Sequence, residues 1–294
     1  MSNIGWALLP SLYYATNLFR GNKITLPESS TAISPLSEQI NAYVHSLGIK
    51  QETFLLEDKK ATYSDGALAT NIGTDKITIF AEKSLLDTDP SAFYFALNHE
   101  IGHIVHQDQK KDSVIKLIMS LAYGILLGYF LPPYFSLPLT IFLNYSASKI
   151  RSPRMEQKAD SWAIEHSNIE ELKGGLRFFK IQQAIMHIFQ TSKKQKELLE
   201  IIKKNQDSSL TIDPFHPKIS QRIELIEKAL QERGIDPKFQ AIDWMNTNSL
   251  IQNYFFNFLS KSNPERTVST EEKKALSDLI FEACLFKAYT KKIK

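Results

Sequence analysis

The sequence predicts a mainly helical α+β chain with a small sheet, an apolar helical hairpin inserted in its middle and a helical extension at its C-terminus. Three observations carry that prediction. Apolar residues recur at helical spacing in several long segments. Two short runs, TFLLE (53–57) and KITIF (76–80), read as strands. Residues 117–148 carry no charged side chain, with Pro132 and Pro133 at their middle.

The totals bound the function. A chain of 294 residues accommodates one large domain or two small ones, and 43% hydrophobic residues supply a core. The net charge of +3 argues against a whole-surface nucleic-acid binder, so no nucleic-acid partner is expected. Cys284 is the single cysteine, which excludes an internal disulfide and a cysteine-based metal site. Any metal must sit on histidines and carboxylates.

Each element follows in order. Residues 1–27 open with IGWALLPSLYYATNLF and close at RGNK and Pro27. No basic residue precedes the apolar stretch, so it is a poor secretory signal and is expected to be a packed amphipathic helix. Residues 34–49 form a helix, with Ile40, Tyr43, Val44 and Leu47 on one face and Gly48 as the stop. SDG and NIGTD are turns flanking the strands. DPSAFYFALNHEIGHIVHQD (89–108) is a strong helix with Pro90 at its start. After the uncharged run, SPRMEQKADSWAIEHS (152–167) resumes as an amphipathic helix. QTSKKQKELLEIIKKN (190–205) is a charged helix, and DPFHPKISQRIELIEKAL (213–230) is a loop followed by a helix. GIDP (234–237) marks a boundary. The expected organisation is an apolar and helical segment over 1–49, a central domain over 50–233 and a helical extension over 234–294.

The chemistry concentrates in LNHEIGHIVHQD (97–108). His99 and His103 are four apart, which on a helix puts both imidazoles on one face. Two nitrogens at roughly 2.0–2.1 Å can then share one zinc ion. Glu100 is rotated about 100° around the helix, better placed to reach a metal-bound water than the metal. A metal acidifies the water and a carboxylate takes its proton. The competing reading is a surface helix with scattered histidines. Three ligands on one short helix lie along a line, so His106 is a poor third ligand. Glu156 is the better candidate. Asp160, four residues on and on the same face, can fix the tautomer of a ligand imidazole.

HEIGH, EQKAD and HPKISQRIELI, in that order, resemble the HtpX-like and CAAX-prenyl-protease-like family of gluzincin zinc metallopeptidases. The resemblance covers roughly residues 50–233 and implies a zincin metallopeptidase domain. It implies one zinc ion held by His99, His103 and Glu156, with Glu100 as general base and acid. Asp160 would partner a ligand histidine. His216 would donate to the oxyanion of the tetrahedral intermediate, and Arg222 would orient it. The implied activity is zinc-dependent endopeptidase action on a protein or peptide substrate. Ahead of the zinc helix the family has an asparagine near an A-x-x-G-G-x-I stretch. Here GALATNIGTDKITIF (66–80) departs from it, with Gly66 where the Asn is expected and only Gly73 later. The strand 76–80, with Ile77, Thr78 and Ile79, would be the edge that pairs with substrate. An ordinary internal strand is the alternative.

Two questions stay open on the sequence. A catalytically silent scaffold keeping the same fold, or a zinc hydrolase acting on something other than a peptide, would carry the same motifs. The run 117–148 is either a hairpin in a membrane or a soluble core. Lys110, Lys111 and Lys116 precede it, and Lys149, Arg151 and Arg154 follow. Both ends would then sit on one side, the cytoplasmic side by the positive-inside rule. Arms of about 15 residues, or about 22 Å, suit a re-entrant or shallow hairpin better than two full spans.

Overall fold

The computed structural model describes residues 8–20, 31–33, 35–57, 68–72, 76–191, 217–237, 244–255 and 269–271, with further single positions up to 280. The chain is mainly helical with a small sheet. In order it runs α1 (Leu9–Arg20), β1 (Thr31–Ala32), α2 (Leu36–Ser46), β2 (Glu52–Glu57), β3 (Leu68–Ile72), β4 (Lys76–Ala81) and α3 (Lys83–Thr88). There follow α4 (Pro90–His106), α5 (Asp108–Phe130), α6 (Pro133–His166), α7 (Ile169–Thr191), α8 (Ile219–Glu232), α9 (Trp244–Ser249) and a π-helical turn over Leu250–Phe255. The expected turn at SDG and the charged helix at 190–205, beyond Thr191, lie outside the described residues.

The sheet order is β1-β2-β4-β3. β4 runs parallel to β2 and antiparallel to β3, with Ile77 opposite both Thr53 and Ile72. This corrects the expectation that 76–80 is the substrate-pairing edge. β4 is hydrogen-bonded on both sides, and Ile77, Thr78 and Ile79 are all buried. A strand buried on both faces reads as a continuous apolar run rather than an alternating one, as KITIFA does. The edge beside β4 is β3, which also packs against α4. Neither β1 nor β3 is legible as a strand: TA is only two residues long, and the end of LATNI, Asn71 and Ile72, overlaps NIGTD, which the sequence reads as a turn.

α4 starts where its sequence says it should. Asp89 caps it, its side chain accepting from the Ala92 amide at 3.0 Å, and Pro90 occupies the first turn. Arg177 on α7 clamps the cap, with Nε and an Nη donating to the two Asp89 oxygens at 2.9 and 3.0 Å. Both residues are buried, so removing either would strand the other's charge. α7 approaches α4 this closely because it carries glycines. A Cβ on Gly174 would stand 2.3 Å from the Ala92 nitrogen, and one on Gly175 would stand 2.5 Å from the Phe95 ring. On the other side, a Cβ on Gly102 would meet the Ala159 Cα and Trp162 Cβ of α6 at 3.0 Å. Gly102 therefore leaves space for a neighbouring helix rather than an open cleft. The core between the sheet and these helices holds Leu55, Ile79, Phe93, Ile101, Ala163 and Leu176.

The uncharged run is a helical hairpin, as expected, turning at Pro132 and Pro133. Its arms are longer than the run itself. α5 begins two residues after α4 ends. α6 continues without a break through Pro138 and Pro153 into the segment carrying Glu156. The sequence reading had that segment start a new helix. Pro153 removes one i→i−4 bond, but a helix anchored at both ends tolerates the gap. α1 packs on α5 and α6, so the N-terminal apolar helix belongs to this unit.

Candidate metal centre

α4 and α6 lie against each other and bring His99, His103 and Glu156 together. The two imidazole Nε2 atoms are 3.2 Å apart. One Glu156 oxygen lies 3.2 Å from His99 Nε2 and the other 3.3 Å from His103 Nε2. A tetrahedral ion with donors at about 2.0–2.1 Å separates each pair of them by about 3.3–3.4 Å. Among the described residues these three form the His and carboxylate group that could hold a metal ion. Two imidazoles and one carboxylate leave one tetrahedral position open.

The other nitrogen of each imidazole faces a carboxylate. His99 Nδ1 lies 2.9 Å from Asp160 Oδ1, and His103 Nδ1 lies 2.8 Å from Asp108 Oδ2. With Nδ1 carrying the proton in both rings, both Nε2 lone pairs point into the same small space. That arrangement repels unless a cation occupies the space. The electrostatics agree. Burial, the largest influence, pulls both imidazoles down. Hydrogen bonds to Asp160 and Glu156 more than reverse it at His99, and those to Asp108 and Glu156 push His103 up to about 10. Burial would raise the Glu156 carboxyl, but its hydrogen bonds to His103 and His99 hold it far below the usual carboxylate range. The cluster is built to hold positive charge.

Asp160 is itself held. Arg222 on α8 donates to Asp160 Oδ1 from Nε at 3.1 Å and from an Nη at 2.6 Å. Its guanidinium lies 4.1 Å from the centre of the Phe179 ring. Burial raises the Asp160 carboxyl, and the Arg222 charge with the His99 contacts brings it below its ordinary value. α8 also secures the far end of α6, where Arg233 donates to the Ser167 and Ile164 carbonyls at 2.6 and 2.7 Å.

Glu100 sits on α4 between the two histidines and is buried, and its charge adds to the upward push on His103. His106 turns away, its Nδ1 lying 2.7 Å from the Gly102 carbonyl, and is no part of the donor group. His216 lies outside the described residues, so its expected place beside Arg222 is not seen. Sequence reasoning missed Asp108. It stands five residues after His103, a spacing that an uninterrupted helix would place on another face.

Comparison with known protein families, with curated proteins and with solved structures gave no match to this chain.

Proposed function

We propose that the chain is a metal-dependent hydrolase, and more narrowly a zinc endopeptidase working at a membrane surface. The observation that supports it above the others is the convergence of His99 Nε2, His103 Nε2 and the Glu156 carboxylate at 3.2–3.3 Å, each imidazole backed by a carboxylate. A zinc ion held there supplies a Lewis acid that makes a water acidic at neutral pH. Glu100 takes the proton of the attacking water on a carboxylate oxygen and passes it to the leaving amine. Asp160, fixed by Arg222, keeps His99 in the tautomer that offers Nε2. His216 enters as the oxyanion donor on the sequence motif alone. Among the described strands β3 is the outer one beside β4, and its edge is where an extended peptide would lie.

The membrane part rests on α5 and α6. Lys110–Phe130 is long and apolar enough to cross a membrane. The hairpin's outward side chains are apolar and its buried ones polar. By the positive-inside rule, the basic residues at both ends favour a metal centre on the cytoplasmic side.

Metal content and casein cleavage of the purified protein test the enzyme reading. The wild type is expected to carry about one zinc per chain and to cleave, and a chelator to stop it. Glu100→Gln should keep zinc and lose turnover by roughly 100- to 10,000-fold. Glu156→Gln should lose most of the metal, and His106→Ala should keep it. Zinc-loaded protein that cleaves nothing would leave a metal-binding scaffold. Metal lost in His106→Ala but kept in Glu156→Gln would reassign the third ligand.

A further inference from the structure

Asp108 is a buried carboxylate that neither the sequence motifs nor the proposed reaction uses. It is the first residue of α5, the first hairpin arm, yet its Oδ2 lies 2.8 Å from Nδ1 of His103 on α4. Had α4 continued as a regular helix, residue 108 would stand about 140° around the axis from His103 and about 7.5 Å along it. Gln107 prevents this. Its φ of +53° and ψ of 40° place it in the left-handed region, and it is the one non-glycine residue with positive φ among those described. Glutamine has no intrinsic liking for that conformation, unlike glycine or asparagine. A strained residue beside a cluster of ligand atoms is the kind of outlier from which a functional hypothesis can start. Here the strain has an evident result, which is to turn Asp108 back onto the ligand.

We infer that Asp108 is a positioning residue for His103, and that through it the hairpin is built into the metal centre. The inference rests on His99, His103 and Glu156 being metal ligands. Asp108 keeps the proton on His103 Nδ1, aims Nε2 at the shared space and makes that nitrogen a stronger donor. The matching partner of His99, Asp160, and the third ligand, Glu156, both stand on α6, which continues the second arm. Each imidazole is thus oriented by a carboxylate from a different arm. α5 otherwise makes few contacts with α4, so the peptide link at Gln107 and the Asp108–His103 contact are the main ties between the first arm and the zinc helix. Moving the first arm away would draw Asp108 off His103.

The test is metal affinity of the full chain, measured with zinc against a chelator and with cobalt(II) by its visible absorption. Asp108→Asn keeps the shape of the side chain but removes its charge. It should bind zinc about 10- to 100-fold more weakly than the wild type and shift the cobalt spectrum, with unchanged far-UV circular dichroism. Glu165→Gln, which removes one exposed charge from α6, should do neither. Gln107→Gly, which favours the left-handed turn, should keep wild-type affinity, and Gln107→Val, which resists it, should weaken binding as Asp108→Asn does. If the wild type binds neither metal, the ligand assignment falls and this inference with it. If the wild type binds and Asp108→Asn binds within two-fold of it, Asp108 has no positioning role while the ligand assignment stands.

Discussion

α4 and the hairpin, joined through Gln107, bury opposite kinds of side chain. Around α4 the interior is Leu55, Ile79, Phe93, Ile101 and Leu176, and the buried Asp89 is paired there with Arg177. In the hairpin Tyr129 and Phe130 are 74% and 70% exposed, and Ile118, Ile125, Leu126, Phe135, Ile141 and Phe142 also face outward. Its inside holds Ser120 at 0% and Asn144 at 3% exposed, with Ser136 and Thr140 beside them. Asn144 Nδ2 donates to Ser120 Oγ across the arms at 2.7 Å and to its own Thr140 carbonyl at 3.1 Å. Water rewards the first arrangement and penalises the second. In hydrocarbon the preference reverses, because lipid tails are as apolar as leucine and helices associate through small and hydrogen-bonding residues. On the membrane reading proposed above, one chain would follow the rules of two solvents, with the change at the base of the hairpin. There Asp112 holds Lys116 at 2.5 Å and Arg151 of the opposite arm at 2.9 Å.

The largest expected effect breaks the comparison directly. Ile118, Ile125, Leu126 and Ile141 replaced together by Gln should release the protein from membranes under high-salt and carbonate washing, where the wild type stays bound. Burying such side chains is worth roughly 1.5–3 kcal/mol each, so four amount to roughly 6–12 kcal/mol of transfer. Wild-type protein that stays wholly soluble without detergent would make the hairpin a soluble surface and end the two-solvent account.

A smaller effect separates the regions by stability. Phe93 is buried in the core around α4, and Phe93→Ala should cost about 3–5 kcal/mol in denaturant melting. Phe142 has the same side chain but points outward, and Phe142→Ala should change stability by less than about 0.5 kcal/mol. Equal losses would mean that Phe142 is covered by protein after all.

The contrast between the regions also shows what a sequence discloses. Helical spacing alone placed His99 with His103 and Glu156 with Asp160, because both pairs are local and α4 and α6 are regular where it matters. The uncharged run announced its hairpin through composition and two prolines. The rest depends on contacts between distant segments. Gly174 and Gly175 lie inside α7 where α4 packs against the space their side chains would fill, a contact that no local pattern announces. β4 was open to two readings, a substrate edge or an internal strand, and its pairing with β3 makes it the second. Asp108 stayed hidden because its place depends on a left-handed glutamine, which no residue preference marks. Arg222 was found by its motif, but its described partners are Asp160, His99 and Phe179, which only the packing of α8 across α6 and α7 could reveal.

The smallest expected effect is the sharpest test, because its sign depends on the solvent. Asn144 and leucine have similar shapes, so Asn144→Leu exchanges a hydrogen-bonding side chain for an apolar one at little steric cost. If the hairpin packed in water, the exchange would add buried apolar surface and remove a polar group from the interior. The Ser120 hydroxyl could turn to a carbonyl of its own helix, and the variant would be as stable as the wild type or more so. In lipid the leucine gains nothing by being inside, since the surrounding hydrocarbon would accept it equally. The lost bond to Ser120 is then a net loss of about 0.6–1.7 kcal/mol in arm pairing. Unfolding of the purified protein in mixed micelles with increasing SDS reads that difference. A lower midpoint for Asn144→Leu, with membrane partition unchanged, is the result expected of a hairpin held together by polar contacts in hydrocarbon, and a raised midpoint would assign the hairpin to water.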